Sequence, residues 1–353
     1  MSTATATPSR AAEISSLHTD ILESHILTRL DGQTLASAGC VSATLHSLTE
    51  RNDHLWSDVC HSTWPSTAAG DLITGIISTF SDDDSNGPRE FFSQSFPLPS
   101  PDPTDAFPPP RNVPRHRPSS ISSPPSGLIS AVDVYYRNKL IFTKTEETET
   151  VTGWFRCSPF RIDLLDPKDT VPTQIPHPNG EDTCTALIDD MTLSWILIDP
   201  ISKRAVNLSS HKPVSVQRHW LSGEVQVRFA SILAGGDGKQ SSEATALVKC
   251  GIMVNCGGSE GGEMQMREVS LEVEDMDGKH LNGRDSLVIL QRTMEGKRGN
   301  GVEREKEARN RHKRFEEMKR ERGERKLRIE ATLDTLSVAF GLSIFAGLFF
   351  IFC

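Results

Sequence analysis

The side chains able to do chemistry are scattered along this sequence rather than gathered into a catalytic pattern. Seven cysteines occur at wide spacing, at positions 40, 60, 157, 184, 250, 256 and 353, and no two form a Cys-x-x-Cys pair. A structural zinc site is therefore disfavoured. The chain contains neither a phosphate-binding loop nor a His-Glu-x-x-His motif, and its glycine clusters lack a strand-then-helix context. We predict a non-catalytic protein with no catalytic residues, no metal site and no cofactor.

Two histidines and three tryptophans are the remaining candidates for a site in the middle of the chain. His211 and His219 have a ligand-forming ring, and Trp154, Trp195 and Trp220 have the size to line a pocket. An isolated histidine is more often structural than functional, and tryptophans of a β-rich domain more often belong to its core. We therefore expect structural roles for all five.

Length and composition indicate one or two modest folded units joined by unstructured chain. The 353 residues are 36% hydrophobic and carry a net charge of −9, which excludes a protein that is basic as a whole. One segment departs from this average, because residues 297–330 hold 14 Lys and Arg against 8 Asp and Glu. The first residues contain no apolar run, so we expect no secretory signal and a reducing setting with free thiols.

Patterning divides the chain into segments of different character. Eleven of the 21 prolines fall between Phe96 and Gly127, a density that excludes a helix or a central strand there. The predicted segments are a disordered leader at 1–13, a helical segment at 14–65, a proline-rich linker at 66–130, a β-rich domain at 131–293, a charged helix at 297–334 and an apolar tail at 335–353.

The helical segment shows one apolar helix face and more apolar residues than it can bury. Leu22, Ile26 and Leu30 recur at four-residue intervals. Asp31-Gly32 is expected to end the first helix, and Thr34 to cap a second one. About fifty residues form a three-helix unit too small to be comfortably stable alone, so we expect a partner surface.

The order and spacing of these apolar residues resemble an F-box. The matching positions are Leu17, Asp20-Ile21-Leu22, Ile26-Leu27, Leu30, Leu35-Ala36, Cys40-Val41-Ser42, Leu45 and Leu55-Trp56. The resemblance implies docking onto the Skp-family adaptor of a cullin-RING ubiquitin ligase. The residues that it implies for adaptor binding are Leu17, Ile21, Leu22, Ile26, Leu27, Leu30, Leu35, Val41, Leu45 and Trp56.

Alternation of apolar and polar residues predicts strands in the β-rich domain. Val225, Val227 and Phe229 alternate with polar residues, and a second alternating run slips by one residue at Arg267-Glu268, as a β-bulge would. Turn sequences at short intervals favour an antiparallel β-sandwich. The fold class predicted for the whole chain is multidomain α+β.

Three further runs resemble a small plant F-box group whose cytokinin-induced member ends in a transmembrane segment. These runs are Trp154–Arg161, Leu193–Pro200 and Lys203–Ser210. Leu193–Ser210 is also faintly similar to the phloem-protein-2-like lectin sandwiches attached to F-boxes. Neither resemblance implies a substrate or glycan-binding residues.

The apolar tail predicts a single transmembrane helix. Residues 335–353 are 19 residues without a charge, which as a helix would span roughly 28 Å. The flanking Lys and Arg excess would keep the rest of the chain in the cytosol, at the endoplasmic reticulum or the nuclear envelope, with the nucleus as the alternative location. A buried C-terminal helix is the alternative structure. Nuclear import or nucleic-acid binding is the alternative for the basic run, although we expect no nucleic-acid partner.

These features predict an adaptor. The chain would be the substrate-recognition subunit of a Skp–cullin–F-box (SCF) ubiquitin ligase, with an unknown protein target bound by the β-rich domain. The alternative is a lectin-like or small-ligand-binding membrane-associated scaffold without a role in ubiquitination.

Overall fold

A computed structural model of the chain describes residues 18–50, 52–81, 86–99, 125–177, 181–235, 247–258, 262–299 and 304–352. Two compact units divide the chain, an N-terminal unit at 1–93 and a β-rich unit at 94–353. The leader predicted at 1–13 lies outside the described residues, as does most of the proline-rich stretch, 100–124.

The N-terminal unit is helical, and its helices continue beyond the predicted end at residue 65. Its α-helices among the described residues are α1 (Thr19–Ile21), α2 (Gly32–Gly39), α3 (Ala43–Glu50), α4 (Asp53–Thr63), α5 (Asp71–Ser78) and α6 (Gly87–Ser95). α1 continues into a wider π-helical turn at Leu22–Ile26 and then a tighter 3₁₀ turn at Leu27–Arg29. A second 3₁₀ turn covers Pro65–Ala68. The first part of the stretch assigned to a linker is therefore folded.

Apolar spacing explains why α5 and α6 form in that stretch. Ile73 and Ile77, four residues apart on α5, are buried, and so are the adjacent Phe91 and Phe92 of α6. Glycines and charged residues separate the two helices, so composition alone predicts a linker there and this short apolar spacing is missed.

The β-rich unit contains two antiparallel sheets. The strands among its described residues are β1 (Gly127–Tyr136), β2 (Lys139–Glu149), β3 (Arg161–Asp163), β4 (Val171–Pro176), β5 (Met191–Asp199), β6 (Arg204–Asn207), β7 (Ser215–Arg218), β8 (Val225–Ala234), β9 (Leu247–Gly257) and β10 (Glu263–Glu274). One sheet has the order β2-β1-β5-β6, and the other β3-β10-β9-β8-β7, with β4 also pairing with β10. The helices of the unit are α7 (Gly153–Cys157), α8 (Glu181–Asp190), α9 (Gly283–Glu295) and α10 (Arg304–Phe352).

Both sheets contribute to one hydrophobic core. Val132 and Trp195 from the first sheet, Phe229 and Val254 from the second, and Leu290 from α9 belong to the same buried cluster. The register between β10 and β9 shifts between Met266 and Glu268, at the position where the sequence predicts a bulge. Packing two sheets over one core is the arrangement that alternating strands favour.

The first half of α10 is fastened to the β-rich unit. Phe315 is fully buried, and the helix packs against β8. Two ion pairs add to this contact: Lys249 Nζ lies 3.0 Å from Glu316 Oε1, and Arg322 Nε lies 3.0 Å from Asp277 Oδ1. From Leu327 to Ile344 the side chains are exposed.

The structure of the last residues differs from the sequence-based prediction. A charged helix and a separate tail are expected there, but α10 is one helix from Arg304 to Phe352. No helix within the described part of the chain combines the length and the apolar character that crossing a membrane requires.

The transmembrane component of the predicted fold class is therefore wrong. The tail anchor assigned to 335–353 and the membrane-anchored location at the endoplasmic reticulum or nuclear envelope are therefore wrong as well. What remains of the predicted architecture is an N-terminal helical region, a β-rich middle and a long C-terminal helix.

Candidate functional site

Half of the residues implied for adaptor binding form the interior of the N-terminal unit. Leu22, Leu27, Leu35, Leu45 and Trp56 are buried. The indole N–H of Trp56 also donates a hydrogen bond of 2.8 Å to the backbone carbonyl of Thr49 in α3. These five side chains form the core between the helices, so they are not part of the surface of this unit.

Three of the remaining residues lie on the surface. Ile21 and Ile26 are exposed, and Val41 has 73% of its surface in solvent. Leu30 is half-buried, and Leu17 lies outside the described residues. We call Ile21, Ile26 and Val41 the exposed apolar set. Burying such a side chain against a partner contributes up to about 1.5–3 kcal/mol.

The start of α2 shows how the sequence sets this unit locally. Asp31 caps the helix, since its Oδ1 accepts from the backbone N–H of Thr34 at 2.8 Å and its Oδ2 from the Thr34 hydroxyl at 2.9 Å. The backbone hydrogen bond from Thr34 is the largest influence and lowers the pKa of Asp31. Asp31 is thus the cap, whereas the sequence suggests Thr34. A Cβ on Gly32 would lie 2.1 Å from the ring of Phe92, so glycine is required by this close approach.

An aromatic cluster closes the core of the N-terminal unit. The ring centroids of Trp56 and Phe92 lie 5.5 Å apart, and those of Trp64 and Phe92 5.3 Å apart. Phe91 meets Trp64 and Phe80 edge-on, at 6.0 and 5.2 Å. These arrangements are favourable for aromatic pairs. The exposed apolar set is not part of this buried cluster.

The β-rich unit has its own exposed apolar feature, at the turn between β7 and β8. Trp220 has 87% of its surface in solvent, and the neighbouring Leu221 is also exposed. Of the tryptophans expected in the core, only Trp195 is buried, and its indole N–H donates to Ser130 Oγ at 3.2 Å. Trp154 is 84% exposed. The expectation of a core role is therefore wrong for Trp154 and Trp220.

Hydrogen bonds hold the β7–β8 turn in one conformation. The N–H of His219 donates to the carbonyl of Glu224 at 2.7 Å, and the N–H of Gly223 donates to the carbonyl of His219 at 2.9 Å. The N–H of Ser222 donates to Nδ1 of His219 at 3.1 Å. Gly223 has a φ of +70°, which favours glycine. His219 therefore has the structural role that the sequence suggests.

An open cavity of about 950 Å³ lies beside this turn. Its lining comes from β7, the turn and α8: Cys184, Ile188, Val216, Gln217, Arg218, His219, Trp220, Leu221, Ser222 and Gly223. Its lining combines apolar and polar side chains. The sequence signal that identifies this site is the pair of large apolar residues in a short polar turn.

Two buried thiols and His211 have surroundings that favour their uncharged forms. Burial raises the pKa of the Cys60 and Cys256 thiols to about 12, which keeps them protonated and unreactive. Burial, followed by the nearby cations Arg304 and Lys212, lowers the pKa of His211 to about 3. Within the described part of the chain, no three His, Cys, Asp or Glu side chains are grouped to hold a metal ion.

Comparison with known proteins identifies the family. The chain is 49% identical over 341 residues to the probable F-box protein At2g36090 of Arabidopsis thaliana, covering 96% of this chain and 93% of the relative. It is 41% identical over 340 residues to the F-box protein At2g27310 of the same plant, covering 94% of both chains. A third relative, the F-box protein At3g44326, is 42% identical over 327 residues, covering 91% of this chain and 85% of the relative. No protein-family model and no solved structure matches the chain.

The chain belongs to the plant F-box proteins. This membership confirms the F-box resemblance that the N-terminal apolar residues carry, and it extends over the β-rich unit because the matches cover nearly the whole sequence.

Proposed function

We propose that this chain is the substrate-recognition subunit of an SCF-type ubiquitin ligase. The N-terminal unit would bind a Skp-family adaptor and, through it, the cullin-RING assembly, while the β-rich unit would bind the target. One observation carries the proposal: the core of the N-terminal unit is closed by Phe91 and Phe92, yet Ile21, Ile26 and Val41 stay in solvent. Apolar side chains that a small unit leaves exposed are the usual mark of a protein interface.

The chain's contribution to ubiquitination would be positional. A ubiquitin-conjugating enzyme recruited by the cullin-RING assembly supplies the thioester, and the target lysine supplies the nucleophile. Holding both in one complex converts a bimolecular encounter into a step within the assembly. No side chain of this chain is required to take part in bond making, so its residues bind and orient only.

The exposed apolar set is tested by placing a charge in the proposed interface. Val41→Asp and Ile26→Asp should each weaken co-purification with the adaptor at least tenfold, because burying an unpaired carboxylate is penalised by about 2 kcal/mol or more. Leu72→Asp is the matched control, since Leu72 on α5 is 66% exposed in the same unit but is not in the exposed apolar set.

Circular dichroism of each variant establishes that the helices remain folded. Adaptor binding by Val41→Asp and Ile26→Asp at the level of Leu72→Asp would show that the exposed apolar set is not the docking surface.

A further inference from the structure

The first half of α10 is a basic helix on an acidic chain. Residues 304–326, which we call the strap, contain 11 Lys and Arg against 6 Asp and Glu, although the whole chain has a net charge of −9. Within the strap only Ala308 and Phe315 are buried. Burial of apolar surface is the dominant force that holds elements together, so it contributes little to the attachment of this helix.

Ion pairs to the β-rich unit run along the strap instead. The pairs are Glu305–Lys212, Glu316–Lys249, Lys319–Glu274, Arg322–Asp277 and Lys326–Asp277. Lys249 is the central cation, since its Nζ lies 2.9 Å from Glu274 Oε2 as well as 3.0 Å from Glu316 Oε1. All of these side chains keep between 17% and 59% of their surface in solvent. Ion pairs that water reaches are individually weak and are screened by salt.

The start of the strap is held by polar contacts of the same kind. The guanidinium of Arg304 donates to the carbonyl of Phe96 at 2.7 Å, and that of Arg311 donates to the carbonyl of Pro99 at 2.8 Å. Charge therefore takes part in the attachment from the first residue of the strap to its last.

The sheet surface under the strap is incompletely filled. Ala230 of β8 is opposite Gly251 of β9, and a Cβ on Gly251 would meet no atom within 4 Å. A cavity of about 270 Å³ borders this pair and has His312 of the strap in its lining. The strap thus covers the outer face of the second sheet without packing tightly against it.

The outer face of this sheet is separate from the core between the two sheets. Phe229 and Leu233 of β8 belong to the core cluster, whereas Ile232 is buried but lies outside that cluster. Ile232 instead lines a small cavity together with Ala308 and Arg311 of the strap. Removal of the strap would therefore uncover Ile232 and leave the core intact.

We propose that the strap is a releasable cover, which detaches from the outer face of the second sheet as one unit while the core stays folded. Weakening of the ion pairs releases it, and release exposes Ile232 on the sheet and Phe315 on the helix. A segment with few buried apolar contacts opens at a lower free energy than the core does. A detached helix of this length is marginally stable in water, so release also frees its backbone amides for exchange with solvent.

Hydrogen exchange followed by mass spectrometry tests the proposal on the full-length chain. The amides of the strap should exchange at least about tenfold faster in about 1 M than in about 0.05 M sodium chloride, because salt at the higher concentration shortens the screening length to about 3 Å. Exchange of β8 and β9 amides should change less than about twofold, because the core that holds these strands is apolar.

Lys249→Met tests whether the ion pairs hold the strap. It removes the central cation while keeping a long apolar side chain, so the strap should exchange several-fold faster than in the wild type at low salt and should respond less to added salt. Arg320→Met is the matched control. Arg320 is 73% exposed and pairs with Glu324 of the strap itself, at 3.9 Å, so this variant should exchange as the wild type does.

Thiol labelling distinguishes detachment of the strap from opening of the sheet. The thiol introduced by Ile232→Cys lies on the covered face, whereas the native Cys250 is fully buried in the core cluster. A maleimide should label position 232 faster as the salt concentration rises and should leave Cys250 unmodified.

Four results would overturn the proposal. The strap could exchange at the rate of β8 and β9 at both salt concentrations, which would make it part of one cooperative unit with the core. Its exchange could be independent of salt, or Lys249→Met could exchange no faster than Arg320→Met, and either result would show that charge does not hold it. Labelling of Cys250 together with position 232 would show that the sheet itself opens.

Discussion

The two units of this protein expose apolar side chains in different ways. In the N-terminal unit, Ile21, Ile26 and Val41 belong to separate turns and helices. In the β-rich unit, Trp220 and Leu221 are neighbours on a single hydrogen-bonded turn beside a cavity. The two surfaces therefore differ in extent, because one is spread over several elements and the other is confined to one turn.

The interiors of the two units differ in a parallel way. Aromatic rings of α6 complete the core of the N-terminal unit, whereas paired strands and α9 form the core of the β-rich unit. Each unit should therefore lose stability through a different kind of substitution, and the following predictions test that difference.

The largest effect is expected for Phe92→Ala. Phe92 contacts Trp56 and Trp64 within the core of the N-terminal unit, and removing a buried Phe ring is expected to lower the free energy of unfolding by about 3–5 kcal/mol. Limited proteolysis should then cut the N-terminal unit and spare the β-rich unit. Leu72→Ala, at an exposed position of α5, is the control. Equal loss of protection in both units would mean that they unfold together.

A second prediction concerns Arg298, whose guanidinium donates hydrogen bonds to five backbone carbonyls of the β-rich unit. It donates to the carbonyls of Gln94, Thr293, Met294, Gly296 and Ala205 at 2.7–2.9 Å. Arg298→Ala leaves these acceptors without their charged donor, so the free energy of unfolding should fall by about 3 kcal/mol.

The control for Arg298→Ala is Arg284→Ala, which removes an exposed guanidinium from α9. Urea unfolding measures both variants. A fall for Arg298→Ala no greater than that of the control would show that water replaces the guanidinium without loss.

A smaller effect is expected at the cap of α2. Asp31→Ala removes the acceptor for the N–H of Thr34 and should lower the free energy of unfolding by about 1 kcal/mol. Asp31→Asn keeps an acceptor oxygen and should recover most of that loss. If the two substitutions prove equally destabilising, the charge of Asp31 and not its hydrogen bond supports the helix.

The last prediction concerns pH and His211. Its pKa in the folded chain, about 3, is below the ordinary value near 6.5, so the unfolded state binds the proton more tightly. Between pH 6.5 and 3 this group therefore lowers stability as the pH falls. Glu305 Oε1, 3.6 Å from the ring, offsets part of the penalty.

His211→Asn removes the titrating ring while retaining a residue that tolerates the positive φ of 68° at this position. Unfolding free energies at pH 7.5 and 5.0 should show a smaller pH-dependent loss for His211→Asn than for the wild type. The same loss in both proteins would show that His211 is protonated in the folded chain.

Local patterns were sufficient for much of the β-rich unit. Val225, Val227 and Phe229 alternate in the sequence and are buried along β8, because a strand sends successive side chains to opposite faces. The slip after Met266 likewise appears as a register shift. The exposure of Trp220 could not be predicted in this way, because residue type and sequence neighbours do not determine whether a turn folds over the core or away from it. The helices α5 and α6 were not predicted. Their apolar spacing extends over only two turns, and they lie in the part of the chain that also contains the proline-rich stretch.

The sequence by itself determined that the chain is an F-box protein with an N-terminal helical region and a β-rich middle, because those features follow from residue type and spacing along the chain. Only the tertiary structure decided which apolar residues are core and which are surface, since burial depends on contacts between distant segments. Phe92 packs against Trp56 and Gly32, whereas Ile21, Ile26 and Val41 are exposed. Trp220 lies in the turn between the paired strands β7 and β8, where its side chain is exposed beside an open cavity.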